Sequence, residues 1–83
     1  MYTVYVLYSS LYSKIYIGYT SDLNARLVSH NELGKKGWTI KYRPWDLVYS
    51  EEFDLKSDAL LREKKLKTSK CRKWIWEEII STR

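Results

Sequence analysis

The chain has 83 residues, a length that supports one small domain, residues 1–83. Hydrophobic residues make up 45%, which excludes wholesale disorder, and no apolar run approaches the roughly 20 residues of a membrane-spanning helix. The formal net charge is +5 and aromatics reach 16%, with eight Tyr and four Trp against one Phe; this balance points to a polyanionic partner, nucleic acid above all, with ordinary solubilising charge as the alternative.

Residues 2–8, Tyr-Thr-Val-Tyr-Val-Leu-Tyr, are dense in β-branched and aromatic types and predict a strand. Ser9, Ser10 and Ser13 mark a turn, and Lys14 to Tyr19 predicts a second strand paired to the first as a hairpin. Thr20-Ser21-Asp22 carries side-chain oxygens suited to capping free N–H groups, Leu23 and Leu27 give helical spacing, and Gly34 is a stop signal. Residues 34–45 read as a basic, aromatic loop, and Leu47 to Phe53 as a third strand. Ser57 is expected to cap a helix running to about Lys67. Ser69 is expected to cap a last helix, in which Ile75, Trp76, Ile79 and Ile80 form an apolar stripe. The order β-β-α-β-α-α predicts an α+β layer fold whose three-stranded sheet needs helix cover on at least one face.

Some residues break these patterns. Leu55, Ala59, Leu60 and Leu66 define an inward helix face, and Glu63 falls on that stripe. A carboxylate turned toward a core is costly unless it is paired or binds a metal, and Arg62 or Arg26 are the pairing candidates. Arg26 and His30, four apart, project toward one border of the sheet. Tyr5 falls on the strand face opposite Tyr2, Val4, Val6 and Tyr8, and Tyr16 falls opposite Ile15 and Ile17. Lys35, Lys36, Lys41 and Arg43 interleave with Trp38, Tyr42 and Trp45, and Lys64, Lys65, Lys67, Lys70, Arg72 and Lys73 follow. Cations hold phosphates and aromatic faces stack on bases, so Lys35, Lys36, Lys41, Arg43, Lys64 and Lys67 are nucleic-acid-binding candidates; the alternative is a solvated face over core aromatics. There is no Walker loop, zinc-ligand set, dinucleotide loop or serine nucleophile elbow. Cys71 is the single cysteine and the first residues lack a signal-peptide pattern, so a cytoplasmic setting is expected.

Taken together, these positions resemble a known family. Thr3-Val4-Tyr5 followed by Tyr16-Ile17-Gly18 resembles the paired signature of the GIY-YIG nuclease superfamily. Arg26, ten residues past Tyr16, matches the family's helix arginine; His30 matches a His-or-Tyr position; Glu63, within Ala59-Leu60-Leu61-Arg62-Glu63, matches the metal-binding glutamate. Lys41-Tyr42-Arg43-Pro44-Trp45 is similar to the small stand-alone branch, related to the N-terminal domain of the excinuclease C subunit. The chain departs from the pattern at Tyr19, where many members carry Lys, and near Lys73 to Trp76, which offers no equivalent of an Asn that several members have.

The resemblance implies an α+β fold, a three-stranded antiparallel sheet flanked by helices, and a metal-dependent DNA endonuclease with catalytic residues Tyr5, Tyr16, Arg26, His30 and Glu63. Glu63 would hold one Mg²⁺ or Mn²⁺, Tyr5 or Tyr16 would orient or deprotonate water, and Arg26 would clamp the phosphate. His30 would take a proton from, or hydrogen-bond to, one of the two phenols. Without an added recognition domain, single-stranded or branched DNA is the expected substrate, in repair or processing, and no membrane partner is expected. The alternatives are a catalytically silent nucleic-acid-binding module and a protein-interaction domain.

Overall fold

The computed structural model describes residues 1–33 and 37–81. Its centre is an antiparallel sheet of three strands, β1 (Tyr2–Ser9), β2 (Lys14–Thr20) and β3 (Asp46–Phe53), in the order β2-β1-β3. The hairpin register sets Tyr5 opposite Gly18 and Leu7 opposite Tyr16. Between β1 and β3 the register slips at Val6/Leu7, because Val6 faces Tyr49 and Leu7 faces Leu47, a bulge on β3.

Both faces of the sheet are covered, as the alternation of β1 requires. Val4, Val6, Ile15 and Ile17 pack on one face with Ala59, Leu66 and Ile75, and with Trp76, Ile79 and Ile80 half-buried beside them. Ala59 and Leu66 come from α2 (Lys56–Leu66), and Ile75, Trp76, Ile79 and Ile80 from the π-helical turn Ile75–Ile80 that continues α3 (Ser69–Trp74). Tyr5, Leu7 and Trp45 form a second cluster on the opposite face, with Tyr16, Leu23, Leu27 and Tyr42 packed against it. This face is roofed by α1 (Leu23–Val28), by a π-helical turn Ser29–Leu33, and by a short 3₁₀ helix Trp38–Tyr42. The α+β class and the three-stranded antiparallel sheet agree with the sequence reading. Among the described residues no helix is long and apolar enough to cross a membrane.

Several details differ from the sequence reading. Part of the segment read as a loop before β3 is the 3₁₀ helix, and Trp45 within it is buried. Ser57 does not cap α2: the helix begins at Lys56, the N-cap position is Leu55 in an extended conformation, and Ser57 lies inside the first turn. Leu55 therefore leaves the inward face and is 60% exposed. Thr68, not Ser69, caps α3, its hydroxyl accepting from the Cys71 N–H. Asp22 does cap α1, accepting from the Ala25 N–H at 3.1 Å. Gly34 lies outside the described residues.

A polar clamp joins β3 to α2. Arg62 donates through Nε to both Glu51 carboxylate oxygens, at 3.1 and 3.0 Å, and Tyr49 donates its hydroxyl to the same carboxylate. Burial alone would raise the Glu51 carboxyl, but the Tyr49 and Arg62 hydrogen bonds and the Arg62 charge outweigh it and hold the group below the usual carboxylate range.

Candidate active site

The central strand carries the first element of the site. Tyr5 is fully buried in the middle of β1, and its hydroxyl lies 3.0 Å from His30 Nε2. The other ring nitrogen, His30 Nδ1, lies 3.1 Å from the Thr39 hydroxyl on the 3₁₀ helix. Tyr16 reaches the same place from β2: its ring centroid is 4.9 Å from that of His30 and 6.2 Å from that of Tyr5. Two phenols from adjacent strands thus enclose one imidazole from the helical roof.

Gly18 makes that approach sterically open. A Cβ at Gly18 would stand 2.8 Å from the Tyr5 hydroxyl oxygen and 3.0 Å from Tyr16 Cε2. The Tyr5 side chain lies over its cross-strand partner's backbone, and only the smallest residue leaves it room.

Tyr16, Arg26, Ser29, His30, Gly37, Trp38 and Thr39 line a cavity of 240 Å³ on this face. Arg26 is solvent-exposed on α1 and lines the cavity, and its charge bears on the Tyr5 hydroxyl. Arg43 turns inward, donating through Nε to the His30 carbonyl at 2.5 Å and through a terminal nitrogen to the Ser29 carbonyl at 3.1 Å. Asn31 and Trp45 bind each other reciprocally: Asn31 Nδ2 donates to the Trp45 carbonyl at 3.0 Å and the Trp45 N–H donates to Asn31 Oδ1 at 2.6 Å. These bonds pin the loop that carries Thr39 to the turn that carries His30.

Electrostatics set the protonation states. Burial pushes the Tyr5 hydroxyl above the ordinary phenol value, Tyr16 adds to this, Arg26 opposes it, and the negative charge of Glu63 adds a smaller upward push. Burial, and then the charges of Arg26 and Arg43, hold His30 below the usual imidazole value. At neutral pH the pair is therefore a neutral phenol and a neutral imidazole. A neutral imidazole that accepts from the Tyr5 hydroxyl at Nε2 carries its proton on Nδ1 and donates it to Thr39.

Glu63 stands on α2, on the other helical layer, with its side chain only 15% exposed. Its carboxylate pairs with Lys67 at 3.4 Å, one turn along, and Lys67 is half-exposed. Arg62, one of the expected partners, is committed to Glu51 instead. Among the described residues no group of three or more His, Cys, Asp or Glu gathers into a metal cage. A largely buried carboxylate whose counter-ion is a half-exposed lysine does fit a hard cation that takes one or two carboxylates and keeps most of its waters.

The remaining basic candidates spread out. Lys41 is exposed in the 3₁₀ helix and Lys64 is exposed on α2, whereas Lys35 and Lys36 lie outside the described residues. Sequence reasoning missed Thr39, Ser29 and Gly37, which join the cavity only because the loop folds back over α1. No local pattern marks them.

Residues 1–74 match the model of the GIY-YIG catalytic domain. The chain is also similar to UPF0213 proteins from Staphylococcus epidermidis, Staphylococcus saprophyticus and Staphylococcus aureus, each 44% identical over 54 residues. That alignment covers 65% of this chain, which spans 66% of the length of these relatives. No solved structure matches the chain.

Proposed function

The chain belongs to the GIY-YIG family, whose catalytic domain is a nuclease domain, and from that premise we propose that it is a metal-dependent endonuclease hydrolysing phosphodiester bonds in DNA. The observation that carries the reading is the 3.0 Å contact between the buried Tyr5 hydroxyl and His30 Nε2, behind a cavity that His30, Tyr16 and Arg26 line. Glu63 is the residue to hold a divalent cation. When bound, that ion would offset charge on the scissile phosphate and the leaving oxygen.

The chain's own residues do the rest. Water attacks phosphorus, forming the new P–O bond as the bond to the leaving oxygen breaks. The proton of the water passes to a phenol oxygen of the site, Tyr5 or Tyr16, while the phenol proton passes to His30, and the leaving oxygen takes up a proton from solvent. A buried phenol with a raised pKa is a poor base alone, but a neutral imidazole in hydrogen-bond contact gives its proton somewhere to go. Thr39 keeps the imidazole oriented through Nδ1. Arg26 places a fixed positive charge where the phosphate becomes more negative. Tyr16 packs against the His30 ring and limits where the reacting group sits. Single-stranded or branched DNA is the favoured substrate, and repair or processing the favoured setting.

The test is a nicking assay on single-stranded, branched and duplex DNA with Mg²⁺, Mn²⁺ or chelator. Wild-type protein should cut only with the metal, and Glu63→Ala and Tyr5→Phe should each lose roughly 100-fold or more, on the scale of other removed charge-stabilising groups. Cleavage by Glu63→Ala equal to wild type would overturn the metal role. Salt-sensitive DNA binding without any turnover would mean a silent binding module.

A further inference from the structure

The mouth of the cavity is aromatic on one side. Trp38, part of the cavity wall with Tyr16, Arg26 and His30, is still 45% exposed. Its ring is braced rather than loose: the Tyr42 ring centroid lies 4.7 Å away and that of Trp45 lies 5.7 Å away. Trp45 is itself fixed, its indole N–H donating to the Thr39 carbonyl at 2.8 Å. Tyr42 continues the surface to half-exposed Tyr12, whose ring it meets edge-on at 5.5 Å, and Lys14 Nζ stands 5.7 Å from the Tyr42 centroid.

An open indole of this size forgoes burial unless something covers it. The charge around it narrows what that is. Arg26 lines the cavity beside it, Lys41 is exposed in the same short helix, Lys14 flanks the neighbouring ring, and the whole chain carries +5. A flat apolar face among cations fits a nucleobase whose phosphates meet the cations. In a duplex both faces of each internal base are already stacked on neighbours. A single indole at a cavity rim can therefore stack only on a base that is unpaired.

We propose that Trp38 is a stacking platform for an unpaired base of single-stranded nucleic acid, positioned so that the neighbouring phosphate enters the cavity beside Arg26. The proposal rests on the phosphodiester reading of this cavity and adds the feature that selects single strands. The bracing by Tyr42 and Trp45 holds the ring in place before the strand arrives, so little side-chain freedom is lost on binding.

The test measures binding without turnover, so that its failure is separate from failure of the nuclease reading. Fluorescence anisotropy of a labelled oligothymidine is compared with a duplex of equal length and with an abasic oligonucleotide, all in chelator. Trp38→Ala should weaken oligothymidine binding roughly 10- to 100-fold, the scale of one lost stacking partner. Trp38→Phe should restore it to within a few-fold, and duplex and abasic binding should not change. Unchanged oligothymidine affinity in Trp38→Ala overturns the proposal, and so does an equal loss for the abasic strand, which has no base to stack. Concentration-dependent mass that disappears in Trp38→Ala while oligothymidine binding persists would assign the ring to a protein interface instead.

Discussion

Tyr5 and Gly18 are cross-strand partners in which the side chain of one fills the space a side chain on the other would occupy: a Cβ at Gly18 falls 2.8 Å from the Tyr5 hydroxyl oxygen. The clash cannot be relieved cheaply, because the same oxygen is held at 3.0 Å by His30 and the ring is fully buried. Gly18→Ala should therefore cost about 1–3 kcal/mol of stability. On the proposed mechanism its effect on cleavage should be larger, on the order of 100-fold, because there Tyr5 is a reacting group as well as a packing one. Denaturant melts and cleavage rates on the same protein check both; a variant with full activity would show that the Tyr5 position does not matter.

His30 sets an expected pH dependence. Its native pKa lies below the ordinary value of about 6.5, because burial and the charges of Arg26 and Arg43 disfavour the imidazolium. As pH falls below about 6.5, the unfolded chain takes up the proton first, so stability falls until the native group titrates as well. Thermal midpoints should decline from pH 7 towards pH 5, and His30→Asn should flatten that part of the curve. The acid limb of the cleavage rate should have its midpoint below 6.5, since the native imidazole stays neutral to lower pH than a free one. Tyr5 acts in the opposite sense at high pH: its raised pKa means stability is retained below about 10 and lost as pH rises further.

Lys67 competes for the carboxylate assigned to the ion. A pair of this kind, one turn apart with a half-exposed lysine, contributes about 0.3–0.5 kcal/mol. Lys67→Met should leave the melting curve almost unchanged while lowering, by a few-fold, the Mg²⁺ concentration that gives half-maximal cleavage. An Mg²⁺ titration checks this. An unaltered half-saturation point would place the ion away from Glu63.

The strands were legible because their signal is local. The alternation in Tyr2 to Tyr8 put Val4 and Val6 on one face and Tyr5 on the other, and the two core clusters divide in that way. The stripe of Ile75, Trp76, Ile79 and Ile80 was legible for the same reason. Helix ends were less so. Ser57 and Ser69 have cap chemistry, but so does Thr68, and the chain's path after β3 starts α2 at Lys56 and leaves Leu55 outside it. The Glu63 partner was misread because Arg62, its neighbour in sequence, points away from it on the helix to Glu51 on β3, while Lys67 stands one turn along.

Residue type and period alone determined three strands, a hairpin between the first two, and a set of polar groups out of keeping with their stretches. Tertiary packing decided which of those groups meet. The Tyr5–His30 contact spans 25 positions of sequence, and the Thr39 hydroxyl reaches the imidazole only because a folded-back loop is clamped by Arg43 and Asn31. Periodicity reports which side of an element a residue occupies, and it carries no information about how two elements far apart in the chain lie against each other.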